Sequence, residues 1–131
     1  MSGNQSSVRR ILDSWIEGVN EMKLGEVAGL YAERAILIPT FSPSIYNSEE
    51  GIGGYFDRIT HQREVRVTVR EETVVEELQA GGTEIIGGIY DWCIVREGEE
   101  SVFGARFTFV IATGEERPIL HHHSSLLPEV E

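Results

Sequence analysis

The chain has a single cysteine, Cys93. That excludes an intrachain disulfide and fits a reducing compartment. Positive charge is also scarce: 11 Lys+Arg stand against 22 Asp+Glu, for a formal net charge of -11. A surface of that sign repels nucleic-acid phosphates and anionic lipid headgroups, which argues against both as partners. No apolar run approaches the roughly 20 residues needed to cross a bilayer. The opening MSGNQSSVRR has no signal-peptide apolar centre, so a cytoplasmic location is expected. There is no G-x-S-x-G nucleophile elbow, no internal repeat and no linker-like segment. What remains is 131 residues at 40% hydrophobic content, enough for one core, and a single domain over residues 1–131 is expected.

The apolar spacing changes along the chain. Val8, Ile11, Leu12, Trp15, Ile16, Val19 and Met22 form one stripe at helical spacing, with Ser6 or Ser7 placed to cap it. A short second helix follows Gly25 with Val27, Ala28, Leu30 and Tyr31. AILIP at 35–39 reads as a short buried strand, and TFSPSIYNS as a loop. Ser48 begins a third helix with Glu49 and Glu50 in its first turn and Ile52, Tyr55, Phe56 and Ile59 on its buried face. From Glu64 the period becomes two. EVRVTV, continued after a bend by TVVEEL, then TEIIGGIYDWCIV, SVFGARFTFVIA and PILHHHSSLL read as strands separated by tight turns, hence an antiparallel meander. Gly87-Gly88 signals a bulge or strong curvature. Helices gathered ahead of such a sheet predict an α+β fold, with a curved antiparallel sheet wrapped over three N-terminal helices and a ligand-sized cavity in the mouth of the cone.

Strand alternation sorts the residues able to carry chemistry. Arg106, Thr108 and Val110 share one face; Phe107, Phe109 and Ile111 share the other, as core or interface. Tyr90 and Trp92 share a face and offer apolar bodies with polar tips for a pocket or a subunit contact. Tyr55 brings a hydroxyl from the third helix, whereas His61 sits at the solvent end of that helix. Asp91, if buried beside Cys93, becomes a proton acceptor with a raised pKa; the other reading is a solvent-exposed or arginine-paired aspartate. In HHHSS, His121 and His123 point one way and His122 with Ser124 the other. The parity that faces the cavity stays open, with His121 and His123 assigned to the pocket near Arg106. A metal needs further ligands that no nearby spacing supplies, so no metal site and no cofactor are expected. The bland account of the aromatic stripes is core packing, and of the charged residues a solvated surface.

The order of elements, with YAERAILIPTFSP early and ARFTFV and HHHSSLLP late, resembles the NTF2-like (cystatin-like) superfamily. Within it the chain looks most like bacterial relatives of the calcium/calmodulin-dependent protein kinase II association domain, and is similar to the SnoaL-like group. The resemblance runs roughly from Val8 to Pro128. It implies a homodimer or larger homo-oligomer and a pocket that holds a small carboxylate through arginines. Arg106 matches one of those arginines. Ser124 stands where a second is found, and the region of Tyr90 and Asp91 lacks a third. No kinase segment accompanies this domain, so no phosphoryl transfer is expected. Ketosteroid-isomerase-like relatives imply an aspartate base and an oxyanion-holding tyrosine, and neither can be aligned here. The expectation is a small-molecule-binding, homo-oligomerising domain without a legible catalytic set. The pocket is assigned to Arg106, His121, His123, Tyr90, Trp92 and Tyr55. The alternative is an isomerase or cyclase moving protons on an apolar ring substrate, with Asp91 or a histidine as acceptor.

Overall fold

The computed structural model describes residues 6–129; the domain expectation for residues 1–5 and 130–131 lies outside these. Three helices precede most of the sheet: α1 (Ser7–Asn20), α2 (Leu24–Gly29) and, after strand β1 (Tyr31–Ile38), α3 (Glu49–Ile59). Four long strands follow: β2 (Glu64–Leu78), β3 (Thr83–Arg96), β4 (Glu99–Ala112) and β5 (Ile119–Leu126). The caps are the expected ones. Ser6 Oγ accepts from Arg9 N at 3.1 Å, and Ser48 Oγ from Gly51 N at 3.0 Å. At the β3–β4 turn Glu97 and Gly98 both have positive φ, 53° and 81°, which matches the twist of the flanking strands.

The strands form one curved, unclosed sheet in the order β1-β5-β4-β3-β2. One detail corrects the sequence expectation. β2 to β5 pair antiparallel, but β1 runs parallel to β5, so the sheet is mixed. Tight turns report only on neighbours in sequence, and β1 meets β5 across a connection containing most of the chain. β1 is also longer than AILIP, beginning at Tyr31.

The curvature has a local cause. Arg70 pairs with Ile89 and Val75 with Gly87, so Glu71 to Val74 stand opposite the single residue Gly88. The bulge expected at Gly87-Gly88 is therefore carried by the partner strand. Thr73 closes it: its hydroxyl donates to Arg70 O at 2.7 Å and accepts from Ile89 N at 2.8 Å. Gly88 is small for this reason. A Cβ there would lie 3.3 Å from Val74 Cα and 3.1 Å from Thr73 Oγ1.

All three helices pack on the concave face. Val8, Leu12, Trp15 and Val19 of α1, and Ile52, Tyr55, Phe56 and Ile59 of α3, are buried against Val65, Val67, Ile86, Tyr90, Trp92, Phe107, Phe109 and Ile111 of the sheet. α1 and α2 meet at Gly18, where an added Cβ would lie 2.6 Å from Val27 Cγ2. Alanine improves helix propensity by up to about 1 kcal/mol but overpacks this contact by about 1–3 kcal/mol. Gly18→Ala is therefore expected to lower the urea midpoint, and adding Val27→Ala to recover part of it. A more stable Gly18→Ala variant would show that α2 yields freely.

Candidate functional site

The register places residues in rows across the sheet. One row reads Glu76, Ile86, Phe109, His122 and Leu37, and the last four are buried. The adjacent row reads Val75, Gly87, Thr108, His123 and Ile38, and the one beyond the first reads Glu77, Ile85, Val110, His121 and Ile36. These last two rows lie on the convex side. Among the described residues, helices cover only one face of this sheet, so the phenylalanine face is both core and cone interior.

This settles the parity of HHHSS. His122 and Ser124 point inward, at 2% and 3% exposure. Arg106, His121 and His123 lie on the convex face instead, which corrects their assignment to the interior pocket. Phe107 and Phe109 already marked the inner face, and their neighbour Arg106 had to take the other. His121 and His123 remain neighbours there, with ring centroids 6.4 Å apart.

Asp91 is likewise convex. Arg70 grips it in a bidentate pair, Nε to Oδ2 at 2.9 Å and Nη2 to Oδ1 at 2.8 Å. The guanidinium hydrogen bond holds the carboxyl below its ordinary value, the opposite of the raised pKa expected for a proton acceptor. Gly104 lies opposite Asp91 and leaves space for the pair: a Cβ there would approach Arg70 Nη2 to 3.0 Å. Cys93 donates to Glu100 at 2.8 Å, and that contact raises its pKa. His61 is exposed beyond α3.

Inside the cone, Tyr55, Tyr90, Trp92, His122 and Ser124 line a narrow crevice with Trp15, Pro39 and Thr40. Its volume is about 170 Å³, and none of it is wide enough for a water. A chain of hydrogen bonds runs along it. Trp15 Nε1 donates to Tyr31 Oη at 3.0 Å, Tyr31 Oη meets His122 Nδ1 at 2.7 Å, and His122 Nε2 meets Tyr90 Oη at 3.1 Å. An indole N–H only donates, so Tyr31 Oη accepts from Trp15 and is free to give its own proton to His122 Nδ1. His122 is then the Nε2–H tautomer and donates to Tyr90. The reverse tautomer would leave the Tyr31 proton without an acceptor in a dry core. Ser124 Oγ and Thr40 Oγ1 form a hydrogen bond at the end of the crevice.

Burial governs the titration of these groups. Full enclosure holds His122 well below the ordinary value of 6.5, so it is neutral. Burial pushes Tyr31, Tyr90 and Tyr55 up. The crevice thus carries polar atoms but no charge. His122 also stacks on Phe109 with centroids 3.9 Å apart, and Trp15 sits edge-on to His122 at 5.3 Å. Removing the Tyr31 hydroxyl leaves Trp15 Nε1 and His122 Nδ1 without partners, and Tyr31→Phe is expected to cost about 1–3 kcal/mol in urea unfolding. A change within a few tenths of a kcal/mol would show that water or rearrangement replaces it.

A second, open concavity lies where the β3–β4 hairpin projects past the helices. This groove of about 390 Å³ is lined by Phe41, Ile59, Ile94 and Phe103 on its apolar side, and by Arg63, Arg96, Glu97, Glu99 and Ser101 on its polar side. Trp15, Tyr31 and Arg63 are not site candidates by sequence, and His122 is one only among the three histidines offered as proton acceptor in the alternative reading. The parity argument applied to Phe107 and Phe109 is the signal that finds His122; nothing in spacing finds Arg63. Among the described residues, no group of three or more His, Cys, Asp or Glu is placed to hold a metal, and no helix is long and apolar enough to cross a membrane.

The family described as the calcium/calmodulin dependent protein kinase II association domain matches residues 4–128. The chain belongs to this family. Its fold is shared with a protein from Xanthomonas campestris described as such an association domain, 26% identical, with 99% of this chain and 94% of that one covered and a TM-score of 0.86. The β subunit of benzoate 1,2-dioxygenase from Burkholderia mallei is 14% identical, with 92% and 88% covered and a TM-score of 0.76. A protein described as a polyketide cyclase, from Xanthomonas campestris pv. campestris, is 11% identical, with 91% and 89% covered and a TM-score of 0.66. No curated protein matches. The association-domain protein is thus NTF2-like, and the last two likenesses speak to fold alone.

Proposed function

We propose that this association-domain protein is a homo-oligomerising domain that binds a small molecule and performs no catalysis of its own. The convex face of the sheet carries this reading. Among the described residues it has no helix over it and displays Ile36, Val75 and Val102 at 43%, 65% and 60% exposure, with Ile85, Ile89 and Val110 half-buried among them. A sheet normally buries one face and wets the other with polar side chains. Apolar residues spread over the wet face mark an interaction surface. A second copy is the partner proposed, because the family is one of association domains and because a twofold contact requires only that the face suit itself.

The neutral, sealed interior supports a non-catalytic role. Proton transfer needs a titratable group that a substrate reaches. Asp91 is held on the outer face by Arg70, and His122 is locked between two tyrosines. Ligand binding falls instead to the open groove beside the β3–β4 hairpin.

Light scattering on the purified protein is expected to give a dimer or a larger closed assembly at micromolar concentration. Val102→Glu combined with Ile36→Glu is expected to give a monomer with unchanged circular dichroism. A wild-type monomer, or an assembly indifferent to both changes, would remove the reading.

A further inference from the structure

His121 and His123 take no part in the interior chemistry. Both point outward from β5, one residue apart, with ring centroids 6.4 Å apart. Among the described residues neither ring is engaged in a hydrogen bond or an ion pair. His121 is half-buried and His123 exposed. β5 is paired with β1 on one side and β4 on the other, so the backbone beneath the two rings is fixed.

Their surroundings offer the rings little. Ile36 and Ile38 flank them on β1, and Thr108 and Val110 on β4. Of the carboxylates on this face, Asp91 is gripped by Arg70 and Glu100 accepts from Cys93. Glu77 shares a row with His121 but stands three strands away. A second copy laid over this face would take the imidazole nitrogens out of water, and a desolvated polar group without a partner is costly. Something must engage them when the face closes.

The spacing suits a metal ion. Zinc-class ions bind imidazole nitrogen at about 2.0–2.1 Å in tetrahedral sites, which sets two ligating rings with centroids about 5 Å apart. The observed separation is wider by little more than about 1 Å, a gap that rotations of roughly 10–15° about the two χ1 bonds close without leaving a rotamer well. Arg106 projects from β4 one row away and opposes a cation there. It is exposed, so water screens it, and the chain as a whole carries a formal charge of -11, which draws cations. One chain supplies two ligands where a closed tetrahedral site needs four. A twofold axis passing beside β5 sets each pair against its own copy and doubles the number.

We propose that His121 and His123 chelate a zinc-class divalent metal ion, and that the same two residues of a second copy complete a tetrahedral site between the convex faces. The proposal rests on the convex-face assembly proposed above and names a ligand that joins it.

The test uses cobalt(II) as a visible probe and zinc(II) as competitor, on the intact protein stripped of metal by a chelator. Four-coordinate cobalt absorbs far more strongly in the visible than six-coordinate cobalt, so the spectrum reports geometry. Cobalt is expected to give intense bands that saturate at about one ion per two chains, and zinc to remove them. His121→Ala and His123→Ala are each expected to weaken cobalt at least about tenfold with unchanged circular dichroism, whereas His61→Ala, exposed beyond α3, is expected to change nothing. In light scattering, zinc is expected to lower the midpoint concentration for assembly by at least about tenfold in the wild type and to leave the double variant of His121 and His123 unchanged. Saturation at one ion per chain with weak bands would overturn the shared site. Binding that survives loss of either histidine would overturn its assignment to this pair. Absence of binding would overturn this proposal alone, because assembly of the metal-free protein is read separately in the same scattering experiment. A protein that stays monomeric with and without zinc would overturn both this site and the assembly it rests on.

Discussion

His122→Ala is expected to cost about 3–5 kcal/mol in urea unfolding, enough to leave a large fraction of the protein unfolded at ambient temperature. The loss has two parts. Removing a fully buried ring that stacks on Phe109 at 3.9 Å creates a cavity in a close-packed core. It also deprives the Tyr31 hydroxyl of its acceptor and the Tyr90 hydroxyl of its donor. The two parts separate in a cycle with Tyr31→Phe. Once His122 is gone, the Tyr31 hydroxyl has no acceptor left to lose, so the double variant is expected to cost less than the sum of the singles. Additive losses, or a His122→Ala cost below about 1 kcal/mol, would mean that the hydrogen-bond chain does not act as a unit.

The second large effect is acid lability. His122 is neutral in the fold, with its pKa depressed by burial, and titrates near 6.5 when the chain unfolds. Below that value the unfolded state takes up a proton that the folded state refuses. The stability contributed by the neutral ring is complete above pH 6.5 and is lost as pH falls toward the folded pKa. The slope reaches at most about 1.4 kcal/mol per pH unit. Asp91 and Glu71 act lower. Arginine partners depress both, from ordinary values of 3.8 and 4.5, so the stability they lend is present above those values and disappears only below them. The window from pH 6.5 to 4.5 therefore isolates His122. Urea midpoints measured across it should fall in the wild type and stay nearly level in His122→Gln. Parallel curves for the two proteins would assign the acid sensitivity elsewhere.

The sequence made the fold legible because periodicity reports directly on burial. The α1 stripe, the α3 face and the alternating strands all follow from which side chains must leave water. Ser6 and Ser48 cap as expected because capping is a local hydrogen bond. The parallel pairing of β1 with β5 was not legible, since it depends on where a distant strand returns. The site was less legible still. Alternation divides HHHSS into two faces but does not name the inner one; that requires knowing that a single helix layer covers the side bearing Phe107 and Phe109. For Asp91 the sequence leaves a proton acceptor and an arginine-paired carboxylate both open, because its partner, Arg70, is on another strand, at a position set by the register of β2 against β3. Arg63 and Phe41 come from loops, where no period exists to read.

The strand at the far side of the sheet bears on the assembly proposed above. β2 has a neighbour on one side only, so its other side presents free backbone groups that invite a strand from another molecule. Along it run Glu72, Glu76 and Glu77, all exposed, with Glu71 held by Arg9, and the kink closed by Thr73 breaks its straight line between them. Two such margins repel each other and do not lie flush. Growth by adding strand to strand into open-ended ribbons is thereby discouraged at neutral pH, which leaves the proposed assembly through the convex face without that competitor.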